Sequence, residues 1–150
     1  MLSGKLVHLI ELHWDQVMSR VVDQIHREPQ MSHIRSLDES ELCEWGRAML
    51  QNLGHWLAAG NEEDLARKYE YLGRLRFEEE VPLHESVHGL CIIREKILDF
   101  VEEQILSKNT LELYAEEELE RRLGRFFDLL TIHMVRGYEH ALRRAMASPA

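Results

Sequence analysis

Apolar residues along this chain return every three or four positions instead of alternating with polar ones, which predicts helices throughout and an all-α fold. Leu2, Leu6, Ile10, Val17, Val21 and Ile25 share one stripe of a first helix, stopped where Pro29 offers no backbone donor. A polar loop follows. Ser36 or Asp38 can cap a second helix, whose Leu42, Trp45, Met49, Leu53 and Trp56 recur until Ala58-Ala59-Gly60-Asn61. Asn61 then serves as the cap of a third, with Glu62, Glu63 and Asp64 at the positive end of the helix dipole and Leu65, Tyr69 and Leu72 inward. That helix should end near Glu80. Pro82 suits the first turn of a fourth, with Leu83, Val87, Leu90, Ile97, Val101 and Ile105 on one face, widened by Cys91 and Leu98.

After a break at Ser107-Lys108-Asn109-Thr110, a last helix can run from Leu111 to Ala147. At 1.5 Å per residue it would be roughly 55 Å long, so its far end is expected to project beyond the core. Leu119, Leu123, Phe126 and Leu130 form one stripe on it, and Phe127, Met134, Tyr138, Ala141 and Ala145 a second, displaced one. One stripe can face the domain's own core and the other a partner helix in a homodimer. The alternative is a central helix wrapped on both sides by its own chain.

Length and charge narrow the possibilities. A chain of 150 residues makes one domain with a proper core. Its 27 acidic against 18 basic side chains, with runs at 78–80 and 116–118, repel phosphate backbones and anionic lipid, so neither nucleic acid nor a membrane surface is an expected partner. Cys43 and Cys91 lack a metal-binding spacing and are expected to be buried and reduced. No apolar run is long enough to span a bilayer and the first residues lack the form of a signal peptide, which points to the cytoplasm.

The candidate chemistry begins with HESVH at 84–88, which on a helix places His84 and His88 one turn apart with Glu85 beside them, as in zinc peptidases. A catalytic zinc needs a third protein ligand, and the extended form of the motif would put a histidine where this chain has Arg94. The nine histidines also invite a di-iron bundle, but His8, His13, His26, His33, His55, His133 and His140 scatter over different faces. Only His13 and His133 fall near apolar stripes, where a histidine is ordinarily a hydrogen-bonded core residue. No nucleotide loop, nucleophile triad or complete metal shell is apparent, so no catalysis and no cofactor are expected.

Within the third and fourth helices, YLGRLRFEEEVPLHESVHGLCIIREKILDFV resembles a segment shared by globin-coupled sensors and the N-terminal domains of stressosome co-antagonists of the RsbR type: Leu-Gly-x-x-Arg or His, acidic or polar residues, Val or Ile-Pro-Leu, then a long helix. The resemblance implies a globin-like bundle of about five long helices with an extended C-terminal helix, forming the N-terminal part of a longer signalling protein. In the haem-binding relatives a histidine three residues after the glycine holds the iron. Here Gly73 is followed by Arg76, which matches the non-haem members. An always-protonated guanidinium is no ordinary haem ligand but can bind a carboxylate or phosphate through paired hydrogen bonds.

Arg76 continues the inward spacing of Leu65, Tyr69 and Leu72. It can form a salt bridge with Glu78, Glu79, Glu80 or a neighbouring helix, or it can anchor a ligand in a pocket lined by Trp45, Trp56, Tyr69 and Phe77. The expected function is therefore a non-enzymatic sensor that dimerises and relays a signal through its last helix to an output domain or partner. The rival is a haem- or metal-binding gas sensor or carrier using His84 and His88.

Overall fold

The computed structural model describes residues 2–105 and 109–147, and every regular element among them is a helix. In chain order these are α1 (Gly4–Leu12), α2 (Trp14–Arg27), α3 (Ser32–Arg35), α4 (Glu39–Leu50), α5 (Leu53–Leu57), α6 (Glu62–Glu78), α7 (Leu83–Gln104) and α8 (Thr110–Ala147). The all-α expectation holds, with eight helices among the described residues in place of five.

Two of the extra elements arise where a helix expected to be continuous breaks. α1 gives way to α2 at His13, whose ring lies 5.8 Å from that of Phe100 on α7. The first stripe is divided accordingly: Leu6 and Ile10 are buried from α1 and Val17, Val21 and Ile25 from α2, while Leu2 is exposed. The second break separates α4 from α5. Asn52 Nδ2 and Trp56 Nε1 both donate to the carbonyl oxygen of Ala48, at 3.2 and 3.3 Å. A continuing helix would give that oxygen to the Asn52 amide, so the side chains compete with the backbone and the chain restarts one turn on.

The third extra element, α3, lies in the stretch expected to be a loop. Its single turn buries Ile34, with Met31 buried just before it. Arg35 closes the end of α2 from here, its Nη1 donating to the carbonyls of Ile25 and Glu28 at 3.1 and 2.7 Å.

Capping follows the sequence in part. Asp38 caps α4, its Oδ1 accepting the Ser40 amide at 3.0 Å. Asn61 precedes α6 without capping it; its side chain donates instead to the carbonyls of His55 and Ala58 and closes α5. Pro82 is the N-cap of α7, just ahead of its first turn. Asn109 Oδ1 accepts the Glu112 amide at 2.8 Å and so starts α8. The expected break there falls partly on Ser107 and Lys108, which lie outside the described residues.

α6 ends in a left-handed cap: the Val81 amide donates to the Arg76 carbonyl at 2.9 Å, the Glu80 amide to that of Phe77 at 3.0 Å, and Glu80 has φ 61°.

The most extensive helix pair is α6 with α8, and α7 packs on α8 as well as on α2. With neighbours on two sides, α8 buries both of its stripes over its middle. Leu119, Leu123, Phe126 and Leu130 are core, as expected; Phe127 and Met134, placed by sequence on a partner-facing stripe, are core too. Of that stripe Tyr138 and Ala141 are half-buried and Ala145 is exposed. Beyond Gly137 no α8 residue is fully buried, so the last turns leave the core. Cys91 is exposed and Cys43 half-buried, since α7 turns residue 91 away from its inward face. Among the described residues no helix is long and apolar enough to cross a membrane.

Candidate functional site

Intervals of four, three and four residues keep Leu65, Tyr69, Leu72 and Arg76 on the inward face of α6, and Arg76 is 5% exposed. A buried guanidinium requires compensation. Arg76 Nη1 donates to Glu41 Oε1 on α4 at 2.8 Å and to Glu79 Oε1, one turn along, at 2.6 Å. Of the three acids that follow Arg76, only Glu79 reaches it; Glu78 pairs with Arg74 at 3.6 Å and Glu80 occupies the left-handed turn. Two carboxylates thus share one cation. Burial, reinforced by the neighbouring Glu41, raises the Glu79 pKa above the ordinary carboxylate range despite the pull of Arg76.

Beside this cluster lies a cavity of about 60 Å³, lined by Met18, Trp45, Gly46, Tyr69, Arg76 and Ser86 among others. Trp45, Tyr69 and Arg76 are brought together here. Trp56 and Phe77, expected in the same pocket, are not part of it. Trp56 is tied to the Ala48 carbonyl with the Lys68 ammonium over its ring, and Phe77 points to α8, its ring edge-on to Tyr138 at 5.5 Å.

Tyr69 is 1% exposed, packs its ring 5.9 Å from that of Trp45, and has no hydrogen-bond partner for its hydroxyl among the described residues. Burial pushes its phenol well above the ordinary value. Met18 occupies the adjoining space, packed so closely that a Cβ on Gly46 would fall 2.2 Å from its sulfur. A flexible thioether is thus what closes the space on that side.

The same α6 terminus touches α8. Val81, whose amide holds the Arg76 carbonyl, accepts a hydrogen bond from the Tyr138 hydroxyl at 2.7 Å. Tyr138 therefore rests on the turn that carries Glu79, one residue from the close approach of α6 and α8 at Gly137.

HESVH has a structural occupation. Glu85, at 1% exposure, accepts the backbone amides of His33 and Ile34 at 2.9 and 3.2 Å and meets His33 Nδ1 at 2.6 Å. It caps α3, which leaves it no freedom to serve a metal-bound water. His84 is exposed and His88 half-buried. Among the described residues no group of three or more His, Cys, Asp or Glu side chains is placed to hold a metal ion. Near the apolar stripes, His13 packs on Phe100 and His133 lies 4.0 Å from Glu70.

Sequence reasoning did not find Glu41, Met18 or Gly46 at this site. Glu41 follows the α4 cap at a position that reads as a solvated first-turn acid, and only the tertiary contact with Arg76 reveals it. Comparison with protein-family models, with curated proteins and with solved structures finds no match to this chain.

Proposed function

We propose that the chain is a non-catalytic sensor domain of the non-haem globin-like kind, which pairs with a second copy and passes a signal through α8 to an output domain or partner protein. One observation carries the reading: the buried Arg76 cluster borders the inner cavity on one side and, through Val81 and Tyr138, contacts the projecting helix on the other. A small ligand with an acidic or polar group would enter by displacing Met18 and competing with Glu41 or Glu79 for the guanidinium. Losing either carboxylate frees the α6 terminus to move, and Tyr138 moves with it. The relay is thus a choice between two packings of α6 on α8, biased by whichever of them the ligand binds better.

Pairing is assigned to the outward side of α8. There Ile132, Val135, Leu142 and Met146 recur at the coiled-coil interval; Ile132 is 51% and Met146 77% exposed. Tyr138, Ala141 and Ala145 flank this stripe.

Hydrogen exchange tests the relay. Replacing Arg76 with Met should lower amide protection over 134–147, whereas Arg67→Met, on the exposed side of the same helix, should not. Equal protection in both variants would overturn the relay. Sedimentation of Ile132→Glu tests the pairing, with a shift from dimer to monomer expected. A Soret band on titration with haemin would favour a haem protein instead.

A further inference from the structure

A second cleft, of about 370 Å³, lies between the α5–α6 turn and the middle of α8 and shares no lining residue with the Arg76 cavity. Its walls combine apolar side chains, Trp56, Leu57, Leu65, Phe126 and Leu129, with a polar surface of about equal extent, to which α8 contributes two arginines, Arg122 and Arg125. Arg122 is held in place but incompletely satisfied. Its Nη2 donates to the Leu57 carbonyl at 2.9 Å, whereas its Nη1 is buried and has no hydrogen-bond acceptor. A buried charged donor without a partner is among the costlier things a fold can retain, and it marks a position where an acceptor is missing.

The nearest carboxylate is not that acceptor. Glu118 Oε1 stands 3.9 Å from Nη1, at ion-pair but beyond hydrogen-bond distance, and accepts the Ser3 hydroxyl at 2.9 Å. Arg125 is exposed and has no carboxylate within ion-pair distance among the described residues. The first turn of α6 opens on the cleft as well, and Asn61 has turned its side chain away from those amides. Against these donors the lining sets a single carboxylate, Glu62. Arg122 has Glu118 at ion-pair distance, so Arg125 is the lining guanidinium without a carboxylate beside it among the described residues, a single free positive charge that suits a monoanion better than a phosphate dianion. The volume falls within the range of roughly 300–1,000 Å³ typical of small-molecule sites.

We propose that this cleft binds a small aromatic carboxylic acid, its carboxylate on Arg125 and the Arg122 guanidinium, which turns to offer its unpartnered Nη1, and its ring between Trp56 and Phe126. The inference is independent of the relay proposed above.

Calorimetric titration with phenylacetate, followed in parallel by tryptophan fluorescence, tests it. Phenylacetate should saturate one site per chain, with phenylacetamide, acetate and inorganic phosphate each binding at least about tenfold more weakly, the loss that one charge-assisted hydrogen bond represents. Arg122→Gln should weaken phenylacetate by about tenfold or more, Glu62→Gln should tighten it, and Arg121→Gln, on an exposed position of the same helix, should leave it unchanged. Should Arg122→Gln fail to fold, the exposed pair Arg125→Gln and Glu62→Gln gives the same reading with opposite signs. Absence of saturation, equal binding of the amide, a preference for phosphate, or insensitivity to the Arg122 and Arg125 changes would overturn the assignment.

Discussion

Gly73 and Gly137 face each other where α6 crosses α8, and neither position has room for a methyl group. A Cβ on Gly73 would lie 2.0 Å from the Met134 carbonyl oxygen, and one on Gly137 2.0 Å from that of Glu70. The obstacles are backbone atoms, which cannot rotate aside, so the two helices would have to separate. Alanine is intrinsically the better helix former by about 1 kcal/mol, yet Gly73→Ala and Gly137→Ala should each destabilise the protein by about 3 kcal/mol or more in urea unfolding. Gly124→Ala is the internal control: nothing lies within 4 Å of its Cβ position. There the propensity gain is unopposed and stability should rise by about 1 kcal/mol. Destabilisation of all three alike would contradict the close crossing.

The shared cation at Arg76 gives a signed pH dependence. Because Glu79 has a raised pKa in the folded state, the native protein holds a proton there at pH values where the unfolded chain has released it. Its contribution to stability therefore improves as pH falls from the raised value toward the ordinary carboxylate range, and worsens as pH rises through that window. Glu79→Gln should remove this component, so the difference in urea midpoint between the variant and the parent should widen in the variant's favour from acidic to neutral pH. An unchanged difference would mean that Glu79 titrates normally.

Removing the cation itself is a separate case. Arg76→Met leaves Glu41 and Glu79 facing each other without compensation, and should cost roughly 2–4 kcal/mol in urea unfolding. Adding Glu41→Gln and Glu79→Gln to that variant should recover part of the loss, as expected for charges that act as one unit.

Glu85 distinguishes the two meanings of HESVH. As the cap of α3 it satisfies two backbone amides, so Glu85→Ala should lower stability by roughly 2–3 kcal/mol. His84→Ala, at an exposed position, should stay within about 0.5 kcal/mol. Thermal unfolding with and without added zinc measures both, and stabilisation by zinc that disappears in His84→Ala would revive the metal reading.

Glu80 sits at φ 61°, where a Cβ is penalised and glycine is not. Glu80→Gly should stabilise the α6–α7 turn by roughly 1 kcal/mol, read as a higher melting temperature, with no change in helix content.

How far the fold could be read from the sequence depended on the range of the interactions that decided it. The helical periodicity, the Asp38 cap, the stop at Pro29 and the length of α8 all depend on residues a turn or so apart, and they stand in the structure as expected. The break at Ala48 depends on the side chains of Asn52 and Trp56, and the one at His13 has no counterpart in the apolar periodicity. Arg76 was legible as an inward cation because its spacing continues that of Tyr69 and Leu72. Its second partner, Glu41, comes from another helix and was not. Phe127 and Met134 show the limit most clearly: two apolar stripes on one helix state that both are covered, but not by whose chain.

The glycine crossing also has a mechanical meaning. Ten residues of α8 extend past Gly137, roughly 15 Å of helix, and none of them is fully buried. With the backbones in direct contact at residues 73 and 137, α8 has a fulcrum there. A tilt of about 10° at that point carries the tip through roughly 2.5 Å.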